Sequence, residues 1–313
     1  MDDCQLPPPN EEVGRIFIDV NDKFNLTEII RQGKDNDLLE LFAILREDIT
    51  NRTSNCITKL IKSKDLKVAN NYQVYGESYR DHVIEMFTSD EFVKDTNYIR
   101  QACYTNDSVN KWNDTIRQHV IQSDEVLHID DFLTAYTNQI DSFKNPIISN
   151  SDDYIIHDID TYIDSMGINT FAVNLKDLNT SKISSKLLIA NHSDSNSFKK
   201  IENVLNHLHY QASVKRVPKG YINYYDFKNR ILLMKNIQLN SDNKGKTVKK
   251  DIDYGYALTI HKLQGSTIQN VAVDLRNIIY PTNNPNRFTD VDTRNRLLYV
   301  GLSRCIDNAI IHF

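Results

Sequence analysis

The spacing of apolar residues along the chain predicts alternating helices and strands. Residues 37–49 place leucine, phenylalanine and alanine at the three- and four-residue spacing of one helix face, and residues 78–87 do so more weakly. Residues 98–104 are rich in β-prone side chains, which predicts a strand. Several N-cap candidates at 105–108 precede a predicted helix over 109–120, so this region is a strand-loop-helix unit.

The middle of the chain has a different texture. Residues 145–250 are enriched in Asn, Asp, Ser and Lys. They hold short β-like runs at 154–159 and 170–173, and a helical pattern at 198–210. This pattern favours an inserted, β-rich subdomain.

The last part of the chain returns to α/β character. Residues 256–260 and 271–274 are predicted strands separated by a polar turn, and residues 292–299 are a predicted helix. Alternation of strands and helices favours a parallel sheet with its site at the strand ends.

Composition limits the partners. Lys and Arg total 37 against 42 acidic residues, for a net charge of -5, so any nucleic-acid site must be local. The four cysteines lie far apart, without the two-residue spacing of zinc or redox motifs, and are expected to be buried thiols. Neither a long apolar run nor a signal-peptide pattern is present, which leads to the expectation of a cytoplasmic protein without a membrane partner.

Two segments near the end carry the most specific motifs. Residues 257–267 read Ala-Leu-Thr-Ile-His-Lys-Leu-Gln-Gly-Ser-Thr, and residues 298–304 read Leu-Tyr-Val-Gly-Leu-Ser-Arg. They resemble motifs V and VI of the RecD-like and Dda-like branch of superfamily-one DNA helicases. Residues 2–8 resemble motif III, with Met1 at the usual glycine position, and residues 26–32 resemble motif IV. Residues 104–106, with Val109, Asn113 and Arg117, resemble the strand and helix that open the second RecA-like domain.

The resemblance implies a fold and a domain plan. The expected fold is α/β: a RecA-like helicase C-terminal domain of the P-loop NTPase type, with a parallel sheet, interrupted by a β-rich insert similar to a small barrel. Residues 1–25 would be a remnant of the first RecA-like domain, and residues 26–144 the first part of the second. The insert would cover 145–250, and residues 251–313 would complete the second domain with motifs V and VI.

The resemblance also implies residue roles on the nucleotide side. Arg31 and Arg304 would reach the γ-phosphate across a closing cleft, and Gln5 would sense that phosphate. Gln264 and Gly265, followed by Ser266, would link nucleotide state to the DNA track. Taken singly, an arginine is more often a surface or salt-bridged residue, and only the ordered set of motifs favours these roles.

Single-stranded DNA is the expected partner of a second group of residues. Thr105, Asn106, Thr259 and His261 would meet the strand, because hydroxyl, amide and imidazole groups suit phosphate oxygens without reading bases. Most of the 16 tyrosines are expected to be structural, and none is assigned to DNA. No metal ligands are predicted.

ATP and Mg²⁺ are implied by the resemblance, but most of their site is missing from these 313 residues. The phosphate-binding loop pattern, a glycine followed by four residues and then Gly-Lys-Ser/Thr, does not occur. Gly245-Lys246-Thr247 comes close to it, but Asn240 stands where the first glycine would be. This segment is interpreted as a loop of the insert. The acidic motif II has no counterpart either. The chain by itself is therefore expected to be an inactive C-terminal fragment.

Three functions remain open at this point. The first is a truncated or split ATP-dependent helicase of a branch that resembles enzymes moving 5′ to 3′ and is frequent in tailed phages; its partner would be the missing N-terminal half, if that half is encoded separately. The second is a non-catalytic module that binds single-stranded DNA or a replication protein. The third is an inactive relic of a split gene.

Overall fold

A computed structural model describes residues 4–6, 31–140, 146–240, 245–282 and 287–313. The chain divides into two compact units. Unit 1 comprises Met1–Val120 with Tyr256–Phe313, and unit 2 comprises Ile121–Gly255. The motif III match outside residues 4–6 and the motif IV match at 26–30 lie outside the described residues.

The helices of the described chain, in order, are α1 (Leu38–Asn51), α2 (Asn55–Lys62), α3 (Tyr79–Phe87), α4 (Asp90–Lys94), α5 (Asn106–Val120), α6 (Ser195–Ser213), α7 (Gly220–Arg230), α8 (Ile260–Leu263), α9 (Leu275–Ile279) and α10 (Val291–Leu302). The strands are β1 (Tyr72–Tyr75), β2 (Ile99–Cys103), β3 (Phe132–Ala135), β4 (Gln139–Ile140), β5 (Pro146–Ile148), β6 (Asp153–Ile163), β7 (Asn169–Asp177), β8 (Leu187–Ala190), β9 (Ile237–Leu239), β10 (Lys246–Val248), β11 (Ile252–Tyr254), β12 (Ala257–Thr259), β13 (Ile268–Asp274) and β14 (Cys305–His312).

Unit 1 is built on a parallel five-stranded sheet in the order β1-β14-β13-β2-β12. Strand β2 is buried at all of its positions, as expected for a strand covered on both faces. The five strands run in one direction, so their carboxyl ends meet at a single edge of the sheet. The fold of this unit is the α/β fold with a parallel sheet that the sequence predicts.

Helices α1 and α10 pack together in unit 1. Helix α1 buries the stripe that begins with Leu38, Leu41 and Phe42. The Phe42 ring meets the Tyr299 ring edge-on at 5.8 Å between centroids, and an Arg46 guanidinium nitrogen donates to the Tyr299 hydroxyl at 2.7 Å. These contacts hold helix α10, which carries most of the motif VI match, at a fixed position in the unit.

Unit 2 is built on an antiparallel five-stranded sheet in the order β11-β3-β6-β7-β8. In the described part of the chain, its outer strands do not pair with each other, so the sheet is open and does not close into a barrel. Helices α6 and α7 pack against a core that includes Ile201, Leu205 and Tyr224. The predicted insert, 145–250, lies inside this unit, which also contains residues 121–144 from the preceding segment of the domain plan.

Most elements predicted from spacing are confirmed, with ends that shift by a few residues. The predicted helix at 37–49 is α1, and the predicted strand at 98–104 is β2. The interpretation of Gly245-Lys246-Thr247 as a loop is wrong, because Lys246 begins strand β10, which pairs with β9. The four cysteines are free and buried, as expected. Among the helices of the described residues, none is both long and apolar enough to cross a membrane.

Candidate functional site

The four residues predicted to meet DNA come together at the carboxyl edge of the unit 1 sheet. Thr105 and Asn106 follow β2, whereas Thr259 ends β12 and His261 lies in the short helix α8. Strands β2 and β12 are direct neighbours, with Thr259 opposite Cys103. These four residues, Thr105, Asn106, Thr259 and His261, are called the strand-end group below.

Asn277 fixes one side of the strand-end group. Its side-chain oxygen accepts the backbone N–H groups of Tyr104 at 2.8 Å and of Thr105 at 3.0 Å, and its side-chain nitrogen donates to the Thr105 hydroxyl at 3.1 Å. Asn277 itself is anchored, because its backbone N–H donates to Asp274 at 2.9 Å. The motif match does not include Asn277, which lies 172 residues after Thr105 along the chain.

The other side of the strand-end group combines a helix cap with a pair of rings. The Thr259 hydroxyl accepts the backbone N–H of Lys262 at 3.2 Å, which caps α8. The exposed His261 ring faces Tyr104, with centroids 6.3 Å apart and planes 29° apart. Partial burial lowers the pKa of His261, so the imidazole is neutral at pH 7. Tyr104 is a candidate contact that the sequence analysis did not assign.

A pocket of about 890 Å³ opens at the same edge of the sheet. Its lining includes the cationic side chains of Lys64, Lys111 and Arg276 together with Thr105. Asp274 is on its wall and accepts from the Trp112 indole at 3.4 Å. The walls mix polar and apolar surface and carry the carboxylates of Asp107 and Asp274 beside the three cations, so the lining does not favour one class of ligand.

The residues predicted to serve nucleotide form a second group, away from the strand-end group. Arg31 donates from its Nε to the Thr267 hydroxyl at 3.2 Å and from a terminal nitrogen to the Ser303 carbonyl. The next residue, Gln32, is buried and donates to the Cys305 carbonyl. Thr267 precedes β13 and Ser303 precedes β14, so Arg31 lies at the amino edge of the sheet.

Arg304 and Arg31 both bond to Ser303, but Arg304 is buried. Its side chain is only 5% exposed. The guanidinium donates to the Val300 carbonyl at 3.2 Å and to the Ser303 hydroxyl at 3.1 Å, at the end of helix α10. Its burial leaves little of this guanidinium accessible to a ligand. Arg31 is half-buried, and burial lowers the pKa of its guanidinium, which still stays charged at neutral pH.

The remaining nucleotide-side residues meet near the same edge. The Gln264 side chain donates to the Gln5 side chain at 3.1 Å, and Arg296 donates to the Gln5 carbonyl at 3.2 Å. Gly265 has a φ of +103°, a conformation that only glycine adopts without strain, and the turn closes with the Ser266 N–H donating to Leu263 at 3.0 Å. The name arginine group is used below for six residues: Gln5, Arg31, Gln264, Gly265, Ser266 and Arg304.

Complete ATP–Mg²⁺ coordination does not fit the described residues. Within the described ranges, no cluster of His, Cys, Asp or Glu side chains could hold a metal ion. The arginine group supplies cations and amides but no loop of backbone amides that wraps a phosphate.

Comparison with known proteins gives structural neighbours only. No protein-family model matches the chain, and no curated protein sequence matches it. A Pif1 helicase from Bacteroides in complex with ADP-AlF3 and ssDNA is similar at a TM-score of 0.44 and 16% identity, over 99% of this chain and 60% of that one. A structure of two Pif1 helicases that unwind forked dsDNA gives 0.43 and 14% identity, over 91% and 48%. The Pif1 helicase from Candida albicans gives 0.41 and 11%, over 91% and 55%.

The chain thus spans about half to three fifths of the length of these solved structures. All of them are helicases, the class of enzyme whose motifs the chain resembles. At TM-scores below 0.5, however, the likeness says nothing further about what this chain binds or does.

Proposed function

We propose that this chain carries the second RecA-like domain of an ATP-dependent DNA helicase that moves along single-stranded DNA, with 5′ to 3′ polarity. In this proposal the arginine group faces the terminal phosphate of ATP. The strand-end group holds the DNA. The phosphate-binding loop and the magnesium ligands come from another segment or polypeptide.

One observation carries the proposal: a single short segment joins the two groups. It runs from Thr259, at the carboxyl end of β12, through α8 to Thr267, just before β13. Thr259 and His261 belong to the strand-end group, and the Thr267 hydroxyl accepts from Arg31. A change in the bonding of Arg31 would therefore reach the DNA-facing residues through fewer than ten residues of continuous chain, which favours coupling of nucleotide state to movement.

The chemistry of the strand-end group supports binding to the DNA backbone. Its side chains are two hydroxyls, an amide and a neutral imidazole, which hydrogen-bond phosphate oxygens and sugars without distinguishing bases. The exposed His261 ring, beside the partly buried Tyr104 ring, adds a face on which a base can stack. Binding that is independent of sequence is what a translocating enzyme needs.

The chemistry of Arg31 supports a role in hydrolysis. Phosphoryl transfer is accelerated mainly by positioning and by stabilising the charge on the γ-phosphoryl group, and a guanidinium from a second domain serves this purpose. Arg31 is half-exposed at the sheet edge, whereas the Arg304 guanidinium is bonded within α10. Arg31 is thus the better placed of the two.

ATP hydrolysis tests the proposal. It is measured for the purified chain with and without oligo-dT. The measurement is then repeated after addition of the polypeptide from the same genome that carries the phosphate-binding loop. We expect no hydrolysis by the chain alone and DNA-stimulated hydrolysis by the mixture. Arg31→Ala should lower the mixture's kcat by about 10³-fold or more, and Arg31→Lys should recover little, because lysine lacks the planar fork. Arg80→Ala, which removes an exposed arginine elsewhere in unit 1, is the matched control.

Two results would change the assignment. Hydrolysis at full rate by the chain alone would mean that the nucleotide site is elsewhere and complete. Binding of single-stranded DNA without hydrolysis in any mixture would favour the non-catalytic binding module, and loss of both would leave the relic.

A further inference from the structure

Helices α6 and α7 of unit 2 form a hairpin whose turn is basic and carries no acidic residue. Between Glu202 and Asp226 the sequence contains no Asp or Glu, although the whole chain has a net charge of -5. Lys215, Arg216 and Lys219 are exposed in the turn. In the described chain, no carboxylate pairs with any of these three cations. The turn is therefore a local positive site on an acidic protein.

Exposed tyrosines flank these cations. Tyr221 and Tyr225 lie one helical turn apart on α7, are 48% and 49% exposed, and hold their rings nearly parallel, with centroids 6.5 Å and planes 27° apart. Tyr210 at the end of α6 is also exposed, with the Lys215 ammonium 5.8 Å from its ring centroid. The hairpin patch is defined here as Tyr210, Lys215, Arg216, Lys219, Tyr221 and Tyr225.

The backbone under the patch is tightly built. A Cβ on Gly220 would lie 2.8 Å from the Ala212 Cα, so glycine permits the close approach of the two helices. Arg216 and Lys219 have φ values of 51° and 60°, in the left-handed region that glycine or asparagine adopts at lower cost. Arg216 and Lys219 thus belong to the sharp turn that joins α6 to α7.

We infer that the hairpin patch binds single-stranded nucleic acid, as a second contact outside the strand-end group. The parallel tyrosine rings present faces on which successive unpaired bases can stack, and the three cations are placed to neutralise phosphates between them. The identification of that polymer as DNA rests on the proposed function. An anionic lipid surface is the alternative, because Val214, Val217 and Ile222 are exposed in the same segment. The nearly parallel Tyr221 and Tyr225 rings favour nucleic acid, because bases stack on such faces.

Binding of a fluorescein-labelled oligo-dT to the full chain, followed by anisotropy, tests the rings. Tyr221→Ala with Tyr225→Ala should weaken binding by at least about fivefold to a hundredfold, the range expected for the loss of one stacked base. Tyr221→Phe with Tyr225→Phe keeps the rings and should bind as the unaltered chain does. Tyr162→Ala, which removes an exposed tyrosine from β6 of the same unit, is the control.

The cations are tested by the salt dependence of the same binding. Arg216→Ala with Lys219→Ala should reduce the slope of log K against log salt by about 1.4, since each phosphate contact on a single strand contributes about 0.7. Lys199→Ala removes one exposed charge from the first turns of α6 and should leave the slope unchanged when the turn cations are intact.

Cross-linking distinguishes this patch from the strand-end group. Irradiation of the chain with a 5-iodouracil-substituted single strand should attach the oligonucleotide to the tryptic peptide of residues 220–228, which contains Tyr221 and Tyr225. Cross-links confined to unit 1 would overturn the inference and leave the proposed function intact. No oligonucleotide binding at all would overturn both, and binding only to vesicles of anionic lipid would assign the patch to a membrane instead.

Discussion

The two units place their exposed chemistry in different locations because their sheets are buried differently. In unit 1, strand β2 is buried at all five positions, Arg100 and Gln101 included, so the exposed polar residues near it lie beyond the strand ends. In unit 2, strand β6 alternates over its first residues and is then largely exposed. A parallel sheet covered on both faces confines its functional residues to its edges, whereas the antiparallel unit can offer strand faces and a helical hairpin.

The largest expected effect is in unit 2, at a buried ion pair. Asp251 is 2% exposed and accepts from Lys228 Nζ with both oxygens at 2.7 Å, and also from the Leu233 N–H at 2.8 Å. Asp251→Ala would leave the ammonium and the amide buried without this partner. It should lower the free energy of unfolding by ~3–5 kcal/mol. Urea titration followed by far-UV circular dichroism measures the loss.

The control for Asp251 is an exposed pair of the same unit. Asp160 accepts from Lys186 at 2.7 Å, but both side chains are about half exposed or more. Asp160→Ala should change the free energy of unfolding by less than ~1 kcal/mol. An equal loss at both positions would show that burial does not set the strength of these pairs.

The second largest effect is expected in unit 1, at a buried asparagine that bonds to a strand backbone. Asn113 is 1% exposed and bridges α5 to the edge strand β12, accepting the Ala257 N–H at 2.7 Å and donating to the Ala257 carbonyl at 3.2 Å. Asn113→Ala should cost ~2–3 kcal/mol, because two backbone groups of β12 lose their partner. The single tryptophan, Trp112, lies in this unit, so its fluorescence in urea follows the change. Asn110→Ala, exposed on the same helix, should cost little.

A third test asks how closely the unit 2 hairpin is packed. Gly220→Ala should cost ~1–3 kcal/mol, because the added methyl would overlap the Ala212 backbone and force α6 and α7 apart. Gly33→Ala is the matched change, since nothing lies within 4 Å of a Cβ built there. Equal unfolding midpoints for the two variants would contradict the close helix approach.

The smallest effect is a pH dependence in unit 2. Burial, and then the nearby charge of Lys235, lower the pKa of His192 to about 4. In the unfolded chain the pKa of this histidine is about 6.5. Between pH 6.5 and pH 4 the imidazole is therefore protonated in the unfolded chain and neutral in the folded one, so acidification lowers the free energy of unfolding. After allowance for solvent screening we expect ~1–2 kcal/mol. His192→Gln should lose less stability than the unaltered chain when urea unfolding is repeated at pH 7 and pH 4.5.

The sequence predicts unit 1 better than unit 2. The helix at 37–49 and the strand at 98–104 could be predicted because the local pattern of side chains is enough to indicate each of them. Helix α7 was not predicted, because its Tyr- and Asn-rich sequence buries only Gly220 and Tyr224 and so has no apolar stripe. The edge strand Tyr72–Tyr75 was missed because four residues are too few to show a period.

The motif matches name the residues of the candidate site, whose roles stay predictions, but they do not give the surroundings of those residues. The motif matches name Arg31 and Arg304 alike, yet only tertiary packing decides that the Arg304 guanidinium is bonded to the Val300 carbonyl. Asn277, which holds the backbone at Thr105, lies far along the chain in a segment that no motif covers. Contacts of this range depend on the pairing of β2 with β13, and a single sequence does not reveal that pairing.

The most direct test uses variants that separate the function of the strand-end group from that of the arginine group. In the reconstituted mixture, His261→Ala with Thr105→Ala should weaken oligo-dT binding at least tenfold, because two backbone-facing groups are lost. Arg31→Ala should abolish DNA-stimulated ATP hydrolysis and weaken oligo-dT binding much less than the strand-end variant does, because Arg31 acts on the strand-end group only through the Thr259–Thr267 segment. If instead both variants lose both properties to the same extent, or if the strand-end variant binds DNA as well as the unaltered chain, the division of this sheet into a nucleotide side and a DNA side is wrong.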